Sequence, residues 1–88
     1  MPHDLRVDGR SEIGFEVLYE EKNQRRAADR LFLTQPAVSS AISRLRDIVQ
    51  DKLFIVTVNG LQPTQQADEL YVSVHKAFGI LRNGLGQN

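Results

Sequence analysis

Hydrophobic and polar positions along the chain alternate in a way that predicts four helices and one short β segment. The clearest pattern is Val38, Ala41, Ile42, Leu45, Ile48 and Val49, which recur at three- and four-residue spacing and define one apolar face of a helix. Thr34 precedes it with a hydroxyl suited to the orphan N–H groups of a first helical turn. Pro36 falls in that turn, where a missing N–H costs nothing. The opposite face carries Gln35, Ser39, Ser40, Ser43 and Arg46. Compact donors and acceptors near a helix N-terminus, backed by an apolar side, are what a helix needs to enter a DNA major groove. The same face on an ordinary amphipathic helix is simply solvated, and the pattern alone leaves both readings open.

Upstream, Phe15, Leu18 and Tyr19 predict a helix from about Ser11 to Lys22, with Ile13 or Val17 on its flanks. Gly14 weakens it by about 1 kcal/mol relative to alanine. A second short helix is expected from Arg25 to Leu31, after a Lys22-Asn23-Gln24 connection. Its Ala27 and Ala28 permit close helix approach, or are simply good helix formers. Phe32 and Leu33 are expected to plug the core between helices. The segment before Ser11, including Met1 to Arg10, has little periodicity and reads as a loose terminus.

Downstream, Leu53 to Val58 is rich in β-branched and aromatic residues. Asn59-Gly60 then offers the two positive-φ positions of a type I′ turn, so a short hairpin, a wing, is expected. Thr64 can cap a last helix, Gln65 to about Gly84. Along it Ala67, Tyr71, Val74, Phe78, Leu81 and Leu85 alternate in steps of four and three, the a/d spacing of a coiled coil, and Leu70 and Ala77 widen the stripe. Pairing with a second copy is expected, with a core helix folded back on the first three as the alternative. Gly79 and Gly84 are expected to loosen the end of this helix.

At 88 residues the chain is one small domain of ordinary soluble composition. It has no cysteine, which excludes disulfides and thiolate metal sites and suits a reducing cytoplasm. No apolar run approaches membrane-spanning length, so no membrane partner is expected. Net charge is zero but unevenly spread. Between residues 22 and 46, Lys22, Arg25, Arg26, Arg30, Arg44 and Arg46 stand against Asp29 alone, a net +5; residues 1–21 carry −4 and residues 47–88 carry −1. A phosphate-binding surface produces such localisation, as does a solvated charged face. Enzyme chemistry finds no support: His3 and His75 are isolated, and neither a nucleophile–base spacing nor a glycine-rich phosphate loop is present. No cofactor is implied, and metal binding has no ligand cluster to support it. His75 is expected beside the apolar stripe of the last helix.

The blocks Arg26-Ala27-Ala28-Asp29-Arg30-Leu31, Thr34-Gln35-Pro36-Ala37-Val38-Ser39 and Ile42-Ser43-Arg44-Leu45-Arg46, followed by Asp51-Lys52-Leu53-Phe54 and Gly60-Leu61-Gln62-Pro63-Thr64, resemble the N-terminal winged helix-turn-helix of LysR-type transcriptional regulators. The resemblance runs from about Phe15 to Leu85 without gaps. It implies a mainly α fold of three helices and a β-hairpin wing over residues 1–63, then a linker and dimerisation helix over residues 64–88. It implies that the chain is a fragment lacking the C-terminal effector domain, where a small-molecule effector would bind. The implied partner is double-stranded DNA carrying an AT-rich interrupted palindrome, bound by a cytoplasmic bacterial homodimer.

By the same resemblance, base and phosphate contacts fall to Gln35, Pro36, Ser39 and Ser40, with Arg25, Arg26, Thr34, Ser43 and Asn59 in the surrounding interface. Dimer contacts fall to Ala67, Leu70, Tyr71, Val74, Phe78 and Leu81. The sequence departs from the family at Ser11 and Glu12, where a leucine-rich turn is usual. It departs again in the wing, where Val56 and Asn59 replace arginines that reach the minor groove or its phosphates. Valine cannot supply that contact, so helix-dominated and weaker DNA binding is expected. The alternative function is a winged-helix protein-interaction or dimerisation module with weak or lost DNA binding.

Overall fold

The computed structural model describes residues 9–86, with side chains through residue 84. In chain order it comprises α1 (Arg10–Glu21), α2 (Gln24–Leu31), α3 (Gln35–Val49), β1 (Phe54–Thr57), β2 (Gly60–Pro63) and α4 (Gln65–Gly86). The first three helices and the antiparallel hairpin make a winged helix-turn-helix, and the long α4 follows it. The segment before Gly9 and the Leu85 side chain, both given roles above, lie outside the described residues.

The apolar face of α3 drives the assembly. Val38, Ile42 and Leu45 are buried against Phe15 and Leu18 of α1, Ala27 and Ala28 of α2, and Leu53 and Phe54 at the wing's base. Gly14 lies where α1 crosses α3, and a Cβ there would meet Ala41 Cβ at 3.5 Å, an ordinary contact. Ser11 is completely buried, and its hydroxyl has no hydrogen-bond partner among the described residues. It lies beside a cleft that Leu33, Ala37, Ser40, Ala41 and Arg44 also line.

Two expectations about the loops are corrected. Phe32 and Leu33 do not plug the core: they are 94% and 48% exposed. Phe32 closes α2 in the left-handed conformation (φ 58°), and Leu33 N–H bonds back to the Ala28 carbonyl at 2.9 Å. Ala27, Ala28 and Val38 are the residues buried between these helices. The wing turn is not Asn59-Gly60 in type I′ form either. Thr57 pairs with Gly60, so Val58 and Asn59 form the turn, and only Gly60 has positive φ, at 110°. That glycine serves docking as well as the turn. Leu61 N–H bonds the Lys22 carbonyl at 3.2 Å, and a Cβ on Gly60 would press to 3.1 Å from the same oxygen.

Asp51 joins the end of α3 to the start of α4. Its Oδ2 accepts from Leu53 N–H at 2.8 Å and from the Thr64 hydroxyl at 2.7 Å. Thr64 Oγ1 in turn accepts from Ala67 N–H at 3.0 Å, the expected cap. The Thr64 hydroxyl, and then the Leu53 N–H, hold the Asp51 carboxyl below its usual range.

The coiled-coil stripe of α4 is partly claimed within the chain, because its first half folds onto α1. Ala67 is fully buried and Val74 nearly so, which corrects their assignment to a partner contact. The Tyr71 ring stacks on Tyr19 at 4.1 Å, and Tyr19 donates to Asp68 at 2.7 Å. Farther along, Tyr71 donates to Glu20 at 2.6 Å, while His75 Nδ1 and Arg82 reach the buried Glu16 carboxylate at 2.7 and 3.4 Å. Burial, and then the hydrogen bond to Glu20, push the Tyr71 hydroxyl up to about 12. Partial burial raises the Glu20 carboxyl, but Tyr71, Arg30 and His75 outweigh this and hold it low. Gly79 and Gly84 do not interrupt the helix, which runs to Gly86.

Candidate nucleic-acid interface

Two helix N-termini and the residues around them build the candidate site. Asn23 caps α2, its Oδ1 accepting from Arg26 N–H at 2.9 Å, and α2 therefore begins at Gln24 rather than Arg25. Thr34 caps α3 by accepting from Ala37 N–H at 3.2 Å, and Pro36 occupies the first turn as expected. Each cap leaves the other N–H groups of its first turn directed outward, giving both ends partial positive charge.

Gln35, Pro36, Ser39, Ser40 and Ser43 share one face of α3 and line a shallow concavity, closed at its edges by Gln24 and Arg44. All five α3 residues are exposed, and the apolar face behind them is locked into the core. Arg25 and Arg26 follow Gln24 in the first turn of α2 and are also exposed. Five polar or small side chains, two helix ends and flanking guanidinium groups give a surface that can hydrogen-bond base edges and attract phosphate.

The charge picture is narrower than the sequence sum. Arg30 turns toward α1, pairing with Glu20 at 2.8 Å and Glu21 at 3.2 Å, and those contacts raise its pKa further. Lys22 Nζ donates to the Tyr19 carbonyl at 2.6 Å and lies 4.2 Å above that ring. Arg46 donates to the Lys52 carbonyl at 2.9 Å. Arg25 and Arg26 are exposed in the first turn of α2, and Arg44 lines the edge of the concavity.

Asn59, grouped with the interface above, stands at the wing tip and does not line the concavity. Val56, with Phe54 and Leu61 of the wing, approaches α3, sharing a small cleft with Gln24, Ser39 and Arg46. The wing tip is apolar and open: Val56 is 82% and Val58 99% exposed. Gln24 was missed by sequence reasoning, which left it in the connection. Its Nε2 donates to the Gln35 carbonyl at 3.2 Å and to Ser39 Oγ, tying α2 to the start of α3. Asn23 was the available signal, since an N-cap there places the next residue in the helix.

Sequence spacing also did not foresee that Glu16, Glu20 and His75 bring ligand-type atoms within 4.8 Å of one another. Arg30 and Arg82 already balance these carboxylates, so the cluster works as a fastening between α1 and α4.

Comparison with known proteins decides the family. Residues 14–68, more than half of the chain, match the model described as a bacterial regulatory helix-turn-helix protein of the lysR family. The chain belongs to the LysR family. It is 41% identical over 71 residues to the HTH-type transcriptional regulator LeuO of Escherichia coli, covering 81% of this chain and 23% of that protein. It is 44% identical over 73 residues to the HTH-type transcriptional activator NahR of Pseudomonas putida, covering 83% of this chain and 24% of that protein. The chain thus spans about a quarter of the length of these LysR-family relatives.

Among solved structures, the probable transcriptional regulator PA0477 from Pseudomonas aeruginosa superposes with a TM-score of 0.85 at 37% identity, over 92% of this chain and 27% of that one. The BenM DNA-binding domain, solved as a complex with catB site 1 DNA, superposes equally well (0.85) over 92% of this chain and 91% of that one. At 21% identity the BenM likeness speaks for the fold alone. The chain is therefore a LysR-type helix-turn-helix DNA-binding domain of the transcriptional-regulator class, and its relatives are regulators, not enzymes. No helix among the described residues is long and apolar enough to cross a membrane.

Proposed function

We propose that this LysR-type domain reads double-stranded DNA sequence-specifically as a homodimer, with α3 in the major groove. The observation that carries this reading is the single concavity of Gln35, Pro36, Ser39, Ser40 and Ser43 at the open end of α3, beside Arg25 and Arg26. Gln35 suits an adenine edge through its amide, and Pro36 suits a thymine methyl. Arg25 and Arg26 supply phosphate contact that the wing, with Val56 and Asn59, does not.

The dimer would form along the part of α4 that α1 leaves uncovered. Leu81 is exposed there, Leu70 and Phe78 are half-buried, and Val72 and Ile80 extend the apolar surface. An apolar groove whose accessible lining includes Ala77, Phe78 and Leu81 opens beside the start of α1. Two copies paired this way would present two α3 helices to the half-sites of an AT-rich interrupted palindrome. Effector binding would belong to the remaining length of a regulator acting in the cytoplasm.

The second reading, a protein-interaction module, has one observation in its favour: the apolar wing tip and Phe32 are almost fully open to solvent. Fluorescence anisotropy across a salt series separates the two readings. The DNA reading expects tighter binding to an interrupted palindrome, beginning with T and ending with A, than to its scrambled form, with affinity falling as salt rises. Absence of binding at low salt, where even non-specific affinity shows, would leave the interaction module standing.

A further inference from the structure

Gln24 spans the two helices of the motif in a way that affects one side chain in particular. Its Nε2 donates to the Gln35 carbonyl at 3.2 Å and to Ser39 Oγ. The carbonyl fixes the amide's orientation, since turning Oε1 toward it would set two acceptors face to face. Gln35 is the first residue of α3, so its carbonyl also receives the helical bond from Ser39 N–H. A carbonyl offers two lone pairs, and here both are taken.

This matters because a serine inside a helix often turns its hydroxyl back onto the carbonyl four residues earlier. For Ser39 that carbonyl is Gln35's, and Gln24 occupies it. Gln24 also donates to Oγ itself, so the Ser39 proton cannot point toward α2. Ser39 is exposed and lines the concavity. Its hydroxyl proton is left facing the open side.

We propose that Gln24 is a positioning residue that commits the Ser39 hydroxyl to donate, so that it selects a base-edge acceptor (purine N7, guanine O6 or thymine O4) over the amino groups of adenine and cytosine at the position it faces. The proposal rests on the reading of α3 as the major-groove helix, and adds to it a preference at one base pair. It also gives Gln24 a role in a cleft that it shares with Ser39 and Arg46 and with the apolar Leu18, Val38, Ile42, Phe54, Val56 and Leu61.

The test measures binding of the purified chain to a half-site panel in which every base pair is changed in turn. Gln24→Met keeps the length and helix propensity of the side chain but removes its donors. Gln24→Met and Ser39→Ala should flatten discrimination at the same base pair by about 3- to 10-fold, and the double variant should be no flatter than either. The slope of affinity against salt should be unchanged, because no phosphate contact is lost. Gln24→Glu offers a second arm: a carboxylate only accepts, so it would draw the Ser39 proton inward and abolish the same preference.

The proposal is overturned if either Gln24 variant keeps the preference at the base pair that Ser39→Ala flattens. It is also overturned if Gln24→Met weakens all sequences alike, the signature of a merely structural role. Failure of the underlying reading looks different. The wild-type chain would then show no sequence preference, or Ser39→Ala would change no base pair selectively.

Discussion

The start of α3 and the wing tip are both exposed, yet they are built from opposite materials. Each polar residue on the open face of α3 sits on a backbone held by a cap at Thr34 and a buried stripe of Val38, Ile42 and Leu45. The wing is held equally well at its base, by Leu61 on the Lys22 carbonyl and Thr64 on the Leu53 carbonyl. Toward its tip, however, it offers the exposed, apolar Val56 and Val58, with the Asn59 amide as the polar group of the turn and no charge. On the proposed reading, a well-formed winged helix-turn-helix engages DNA unevenly: the scaffold offers two regions, and the side chains equip one far better than the other.

The largest expected effect breaks the better-equipped side. Reversing Arg25 and Arg26 to glutamate should cut DNA affinity by at least about 100-fold and flatten the salt slope by about two. Anisotropy titration measures the loss, and sedimentation should show the oligomeric state unchanged, because neither arginine lies on α4. Next, Val56→Arg should equip the silent side. A new contact to phosphate or the minor groove should raise affinity about fivefold and steepen the salt slope by about one. Unaltered affinity would mean that the wing does not reach DNA at all.

Three smaller effects concern the scaffold and should leave the comparison intact. Thr64→Val removes the α4 cap and should cost about 1 kcal/mol in thermal melting. The pH dependence follows from Asp51, whose carboxyl is held low by Thr64 and Leu53. A carboxyl with a depressed folded-state pKa contributes stability that is present above its unfolded value, about 4, and lost as pH falls through the folded one. Melting temperature should therefore hold from neutral pH to about 5 and drop below about 4, and Asp51→Asn should blunt the drop. Of similar size and opposite sign, Ser11→Ala should stabilise by about 1 kcal/mol, because it removes a buried hydroxyl without a partner among the described residues.

Much of this was legible in the sequence because it depends on local rules. Thr34, Pro36 and the 3.6-residue repeat of α3 are read from neighbours a few positions apart, and the structure follows them closely. The cap at Thr64 and the wing's existence were legible for the same reason. What was not legible depends on pairs distant in sequence. Phe32 looked like core because it is apolar, but a left-handed helix end turns it outward. Ala67 and Val74 looked like a partner's contact because their spacing suits a coiled coil, but α1 reaches them first. Arg30 was counted with the free charge, whereas Glu20 and Glu21 neutralise it across a helix boundary. Gln24 gave no periodic signal, and its reach to Ser39 exists only once α2 and α3 are packed.

The central claim is that α3 carries the reading of DNA and the wing adds little. Methylation protection with dimethyl sulfate tests it on one gel, because guanine N7 lies in the major groove and adenine N3 in the minor groove. With the wild-type chain on a bound palindrome, the account predicts protection of guanine N7 within each half-site, with flanking adenine N3 methylated as in free DNA. Protection of adenine N3 with guanine N7 left open would contradict it, and would place the contact on the wing.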